Sequence, residues 1–256
     1  MNKTKIEWAS MSWSPVTGCL EGCSYCYARG IATRFGSKKS ESMQILYAMN
    51  GGVRPDMFKG NYPYGFLPTY HPYRFYEPER TKTPQNIFVC SMADLFGDWV
   101  QREWIEDVFD ACDRAPWHNY IFLTKNPSRY EEFLDRFTKN MWIGATITNN
   151  YDMNTRAYDL ARAAFHTGTE NYFLSIEPLM DRIHKENLKL FNWVIIGVET
   201  GNRKNRVKPK RDWIESIVEE YKRVNIPIFM KESLEGLWPE ELIQELPEGL
   251  KRGVEE

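Results

Sequence analysis

The sequence predicts an α/β protein: parallel strands in a partial barrel of six strand–helix units, with an irregular segment inserted near the start. Two observations carry that expectation. From Asn86 onward, short apolar runs rich in β-branched or aromatic residues alternate with longer amphipathic stretches. This is the pattern of strands buried on both faces and joined by crossover helices. The chain also has 256 residues, 42% of them hydrophobic and 14% aromatic, enough for a large core without disulfide staples. We read residues 1–256 as one domain, with an insertion at about 36–83 and a C-terminal extension at about 235–256.

A first strand is expected at Met11–Trp13. Further strands are expected at Ile87–Cys90, Tyr120–Leu123, Trp142–Ile147, Tyr172–Ile176, Trp193–Gly197 and Ile226–Met230. Between them, Ile105, Val108, Phe109 and Cys112 recur at helical spacing, with Pro116 beyond the end. Ile214, Ile217, Val218 and Tyr221 repeat that pattern, and Tyr130–Phe137 and Asn154–Phe165 supply other crossovers. Gly36 to Thr83 breaks the rhythm, and Asn50–Arg80 is rich in Gly, Pro and Tyr. It reads either as a lid hinged at Gly51, Gly52 and Gly60 or as a loop packed on its own tyrosines. The tail from Trp238 to Glu256 reads as a short surface helix with a frayed end.

Thirty-three Lys and Arg against 35 Asp and Glu leave a formal charge of −2. No global basic field draws in nucleic acid, although a local patch stays open. Met1–Trp8 lacks the apolar core of an export signal. The longest apolar run, Trp193–Val198, is far short of the roughly 20 residues that span a bilayer. A cytoplasmic location without a membrane partner is therefore expected, with thiols kept reduced.

Three of the five cysteines, Cys19, Cys23 and Cys26, stand in C-x3-C-x2-C spacing. Such a loop can bring three thiolates around one centre. A structural zinc wants four protein ligands, so a zinc knuckle needs a distant His71 or Cys90 to complete it. A [4Fe–4S] cluster normally takes four thiolates, and three leave one iron open to a non-protein ligand. Three unrelated buried cysteines are the remaining reading.

C-x3-C-x2-C with Tyr25 before the last cysteine resembles the signature of the radical S-adenosylmethionine superfamily, and more narrowly of a phage-associated branch of it. The segments carrying the resemblance are Thr4–Trp8 with Trp13–Cys19, Ser91–Phe96, Leu123–Pro127, Leu174–Leu179, Trp193–Gly201 and Ile228–Lys231. They span nearly the whole chain. Val198 stands where relatives carry a second glycine, and Cys90 has no counterpart in that pattern. The resemblance implies a [4Fe–4S] cluster on the three cysteines and S-adenosylmethionine on the open iron. It also implies an electron donor such as flavodoxin or ferredoxin, and a 5′-deoxyadenosyl radical that takes hydrogen from substrate. A nucleotide or modified DNA base is the expected substrate.

Ligands of parallel barrels bind at the C-terminal ends of strands, so polar residues there are the site candidates. Ser91, Met92 and Asp94 follow the second strand, and the resemblance puts them, with Tyr25, against the cofactor; Asp94 reads equally as a helix N-cap. Lys125 is a cation suited to a carboxylate or phosphate, or a solvated loop lysine. Thr146, Thr148 and Asn149 suit a ribose or carboxylate, or simple turn chemistry. Glu177 closes an apolar strand, where an unpaired carboxylate is costly. It is expected to meet Lys125, Lys231 or ligand, and with Lys125 it forms the candidate catalytic pair. Gly197 and Gly201 permit close backbone approach, as of an adenine, and Glu199 lies between them. Lys231 and Glu232 end the last strand. His71 is a weak candidate acid, while His118, His166 and His184 read as structural or exposed. A competing function is a non-catalytic zinc or iron–sulfur module binding nucleic acid through aromatics such as those of Tyr62–Tyr76. A cluster-free barrel hydrolase lacks any Ser-His or metal-carboxylate motif.

Overall fold

A computed structural model describes residues 1–36, 62–184, 191–201 and 203–251. The first leg of the chain contains β1 (Asn2–Lys3), β2 (Met11–Trp13), β3 (Val16–Thr17) and α1 (Tyr27–Phe35). β4 (Thr69–Tyr70) and α2 (Glu77–Arg80) lead into β5 (Asn86–Val89) and α3 (Arg102–Asp113). Then come β6 (Asn119–Thr124), β7 (Met141–Thr146), α4 (Asn150–Thr167) and β8 (Tyr172–Ile176). β9 (Val194–Ile196), α5 (Arg211–Arg223), β10 (Ile228–Met230) and α6 (Glu248–Lys251) complete it.

Eight strands form one sheet in the order β1-β2-β5-β6-β7-β8-β9-β10. β1 is antiparallel to β2, and every later pairing is parallel. Chain order and spatial order coincide, with no reversal of direction across the sheet. This is the winding of a barrel segment and not of a doubly wound sheet, which turns back at a switch point. It matches the expected class, and the strand expected at Met11–Trp13 is observed as β2, the first of the parallel strands.

Alternation along the strands sorts two cores. Ile87, Val89, Tyr120, Phe122, Ile143, Ala145, Val194 and Ile196 pack with Ile105, Val108, Phe109, Ile214 and Tyr221 of α3 and α5. The opposite face presents Phe88, Ile121, Trp142, Phe173, Trp193 and Phe229, which gather with Trp8 and Leu250. The rings interlock, with centroids 4.7 Å apart for Trp8–Phe88 and 5.1 Å for Phe173–Trp193. A Cβ on Gly144 would lie 2.4 Å from the Phe173 ring, so that glycine makes room for the aromatic plug.

Two expectations are revised. Tyr130–Phe137 is not an α-helix; Pro127–Arg136 forms 3-10 turns with a break at Phe133. Its side chains are pinned at i, i+3 spacing, with Tyr130 donating to the Gly144 carbonyl and Phe133 buried, which suits three residues per turn. Among its described residues the tail is helical only at Glu248–Lys251. Before that it covers the open edge of β10, Met230 N donating to Ile243 O and Glu245 N to Ile228 O. An exposed strand edge needs such a cover, and Leu250 then seals the aromatic plug.

The described part of the insertion is packed. β4 pairs antiparallel with β3, and Tyr62, Tyr64 and Phe75 are buried. Gly51, Gly52 and Gly60, the expected hinges, lie outside the described residues. Among the described residues no helix is long and apolar enough to cross a membrane.

Candidate functional site

The cysteine loop leaves β3 through Gly18, whose φ is +84°. A Cβ there would sit 2.1 Å from the Leu67 carbonyl oxygen, so only glycine fits at this backbone crossing. Gly18 N donates to Met92 O and Cys19 N to Phe66 O, each at 3.0 Å. The Tyr27 hydroxyl donates to Ser91 O at 2.9 Å. Ser91 and Met92 thus hold the loop to the end of β5 through their carbonyls. Arg156 of α4 reaches Glu21 of the loop at 3.5 Å and also contacts Asp152 and Thr146 O.

Cys19, Cys23 and Cys26 are free and partly exposed. Cys26 caps α1, its Sγ accepting from Arg29 N at 3.3 Å, and Cys19 Sγ accepts from Glu21 N at 3.4 Å. Burial pushes the Cys19 thiol up to about 11, nearby Asp94 adds to the rise, and Lys125 opposes it. Burial also raises the Tyr25 phenol, next to Cys23. Among the described residues no group of three or more His, Cys, Asp or Glu side chains is already gathered to hold a metal ion. The chemistry of the donor set nevertheless fits a three-thiolate cluster. The residues a zinc knuckle would recruit are engaged elsewhere: His71 contacts Thr17 Oγ1 at 2.8 Å and Tyr73 OH at 3.2 Å. Cys90 is buried, with its thiol pushed up to about 12 by desolvation.

The remaining candidates stand at the C-terminal ends of the parallel strands. By strand alternation Lys125, Thr146, Glu177, Gly197 and Lys231 continue the row occupied lower down by the aromatic plug. Glu177 Oε1 and Lys231 Nζ pair at 2.7 Å. Gly197 lies under this pair, and a Cβ on it would be 3.1 Å from Glu177 Cγ and Cδ and from Lys231 Cδ. Glu7 completes the cluster across the open seam, accepting from Glu232 N at 2.7 Å. Burial raises the Glu7 carboxyl, an effect partly offset by the Glu232 N–H and Lys231.

Other side chains already have partners. The Asp94 carboxylate accepts from Thr124 Oγ1 at 2.6 Å, Lys125 N at 2.9 Å and Phe96 N at 3.3 Å. Asn149 N-caps α4 by accepting from Asp152 N, and Thr148 donates through N and Oγ1 to Asp152 Oδ2. Glu199 takes a bidentate grip from Arg203, 2.6 Å at both oxygens, which holds its carboxyl below the usual range. Sequence reasoning did not single out Glu7, Arg156 or Arg203. Arg203 and Arg156 had a local signal, each four residues after a carboxylate, Glu199 and Asp152.

The family model described as "Protein of unknown function (DUF5131)" matches residues 3–247, and the chain belongs to that family. No curated protein matches it in sequence. Among solved structures, a mutant of spore photoproduct lyase is similar with a TM-score of 0.55 and 11% identity, covering 90% of this chain and 78% of that one. A second mutant, solved with dinucleoside spore photoproduct, gives the same values. At that identity the likeness is one of fold.

Proposed function

We propose that the chain is a radical S-adenosylmethionine enzyme acting on a nucleotide or a modified base. The observation that carries this reading is a three-cysteine loop, free of disulfides, fixed at the C-terminal end of a parallel barrel segment. The fold is shared with spore photoproduct lyase, a radical S-adenosylmethionine enzyme, and a nucleotide substrate is supported by the dinucleoside solved with that lyase.

Cys19, Cys23 and Cys26 would hold a [4Fe–4S] cluster with one iron left for S-adenosylmethionine. When bound and reduced by a donor such as flavodoxin or ferredoxin, the pair supplies a 5′-deoxyadenosyl radical that takes hydrogen from substrate. Tyr25, Ser91, Met92, Thr146 and Gly197 line the cofactor in this reading. Asp94 acts as a positioning residue, its grip on the Lys125 amide aiming that lysine at an anionic group. Thr148, Asn149 and Glu199 shape the mouth through the α4 cap and Arg203. The Glu177–Lys231 pair holds a carboxylate and an ammonium where substrate would meet them. The chemistry needs reduced thiols and so a cytoplasmic setting.

Anaerobic purification tests the reading. A brown protein with iron and sulfide, cleaving S-adenosylmethionine to methionine and 5′-deoxyadenosine under reduction, is the expected result. A colourless, zinc-loaded protein would overturn it in favour of a binding module.

A further inference from the structure

We propose that the substrate is presented as a polynucleotide, gripped through its phosphodiester backbone by the loop between β9 and α5. This rests on the reading above and specifies the substrate of the same site. Arg203, Lys204, Arg206, Lys208, Lys210 and Arg211 place six cations in nine residues with no carboxylate among them, on a chain whose formal charge is −2. Like charges packed this densely repel one another, and a covering polyanion relieves that repulsion.

The loop's position and construction argue against a merely solvated charge run. It leaves the C-terminal end of β9, the end of the sheet that carries the cysteine loop. Its base is fixed by the Arg203–Glu199 grip and by Arg206 donating to Gly201 O at 2.8 Å. Its exit is fixed by Arg211, which pairs with Glu215 at 2.6 Å and Glu240 at 2.8 Å. Pro209 is buried and Val207 half-buried, so the backbone is anchored between its charges. Lys204, Lys208 and Lys210 remain exposed, with no side-chain acceptor among the described residues. Three ammonium groups held outward on an anchored backbone are prepared for phosphates at little cost in loop ordering. Lysine reads phosphate as a point charge, so the grip is indifferent to sequence and leaves base selection to the barrel mouth.

The test uses the full chain and measures fluorescence anisotropy of labelled oligonucleotides of one sequence: single-stranded DNA, duplex DNA and RNA. Phosphatidylcholine–phosphatidylserine vesicles form a separate arm. The variant is Lys204→Gln/Lys208→Gln/Lys210→Gln. The control is Lys139→Gln/Lys222→Gln, at the opposite end of the strands. Thermal melting shows that each variant is folded. The wild type and control should bind at least one polynucleotide, and the tightest arm identifies which. For single strands, each lost contact removes about 0.7 from the slope of log K against log salt. The triple variant should therefore lose about 2 from that slope, roughly 100-fold in affinity at 0.1 M salt. The proposal is overturned if the wild type binds no oligonucleotide, if the triple variant matches it in affinity and slope, or if only vesicles bind. Iron and sulfide content separates this failure from failure of the radical reading. A cluster-bearing protein that ignores polynucleotides sinks only the loop's role.

Discussion

Replacing Gly197 by Ala asks whether the Glu177–Lys231 pair is held in place by the strand beneath it. The new Cβ would lie 3.1 Å from carbon atoms of both side chains. Each chain is flexible alone, but the two are tied at 2.7 Å, so relief means moving or parting the pair. Crowding of this kind costs about 1–3 kcal/mol, and a partly exposed ion pair contributes at most about 1 kcal/mol. The backbone of Gly197 is not left-handed, so alanine itself stabilises by about 0.4–1 kcal/mol through the unfolded chain. A net loss of about 1–1.5 kcal/mol is expected, which for a chain this long lowers Tm by roughly 2–6 °C. The decisive measurement is a double-mutant cycle by urea unfolding. In a Glu177→Ala background the crowding carbons are gone and Lys231 is free to swing away. There Gly197→Ala should turn neutral or stabilising. An equal penalty in both backgrounds would refute the reasoning and place the strain elsewhere.

Gly18→Ala should destabilise by more than about 2 kcal/mol in urea unfolding, because it combines left-handed strain with a backbone clash at Leu67 O. It should also lower iron retention by loosening the cysteine loop. Cys26→Ala should abolish iron binding, measured after anaerobic purification, while Cys112→Ala, buried on α3, should leave it intact. Burial, assisted by Arg74, lowers His71 to about 3, against roughly 6.5 unfolded. Below pH 6.5 the unfolded chain binds more protons, so stability falls as pH drops toward 3, by about 1.4 kcal/mol per unit. His71→Gln should flatten that decline in unfolding curves taken across the range, and an unchanged pH slope would contradict the assignment.

What the sequence determined by itself was the periodic and the contiguous. Apolar runs placed β2 and β8 to the residue, since each is a short, mostly apolar run bounded by polar residues or proline, Ser10 and Ser14 around β2 and Asn171 and Glu177-Pro178 around β8. Helical spacing of Ile105, Val108, Phe109 and Cys112 located α3, because one buried stripe repeats every turn. The three cysteines were legible because their grouping is local. Tertiary structure alone decided which polar strand-end residue meets which. Glu177 had three candidate partners, and the register of β8, β9 and β10 selected Lys231. Asp94 read as a cofactor contact or a helix cap, and the C-terminal end of neighbouring β6 supplied Thr124 and the following Lys125 amide to bind it. Glu7 lies 225 positions from Glu232 and meets it only because the sheet curls until its first and last parallel strands approach. The tail's polar, Pro-punctuated pattern concealed its role, since covering an edge takes backbone groups, which every sequence carries alike.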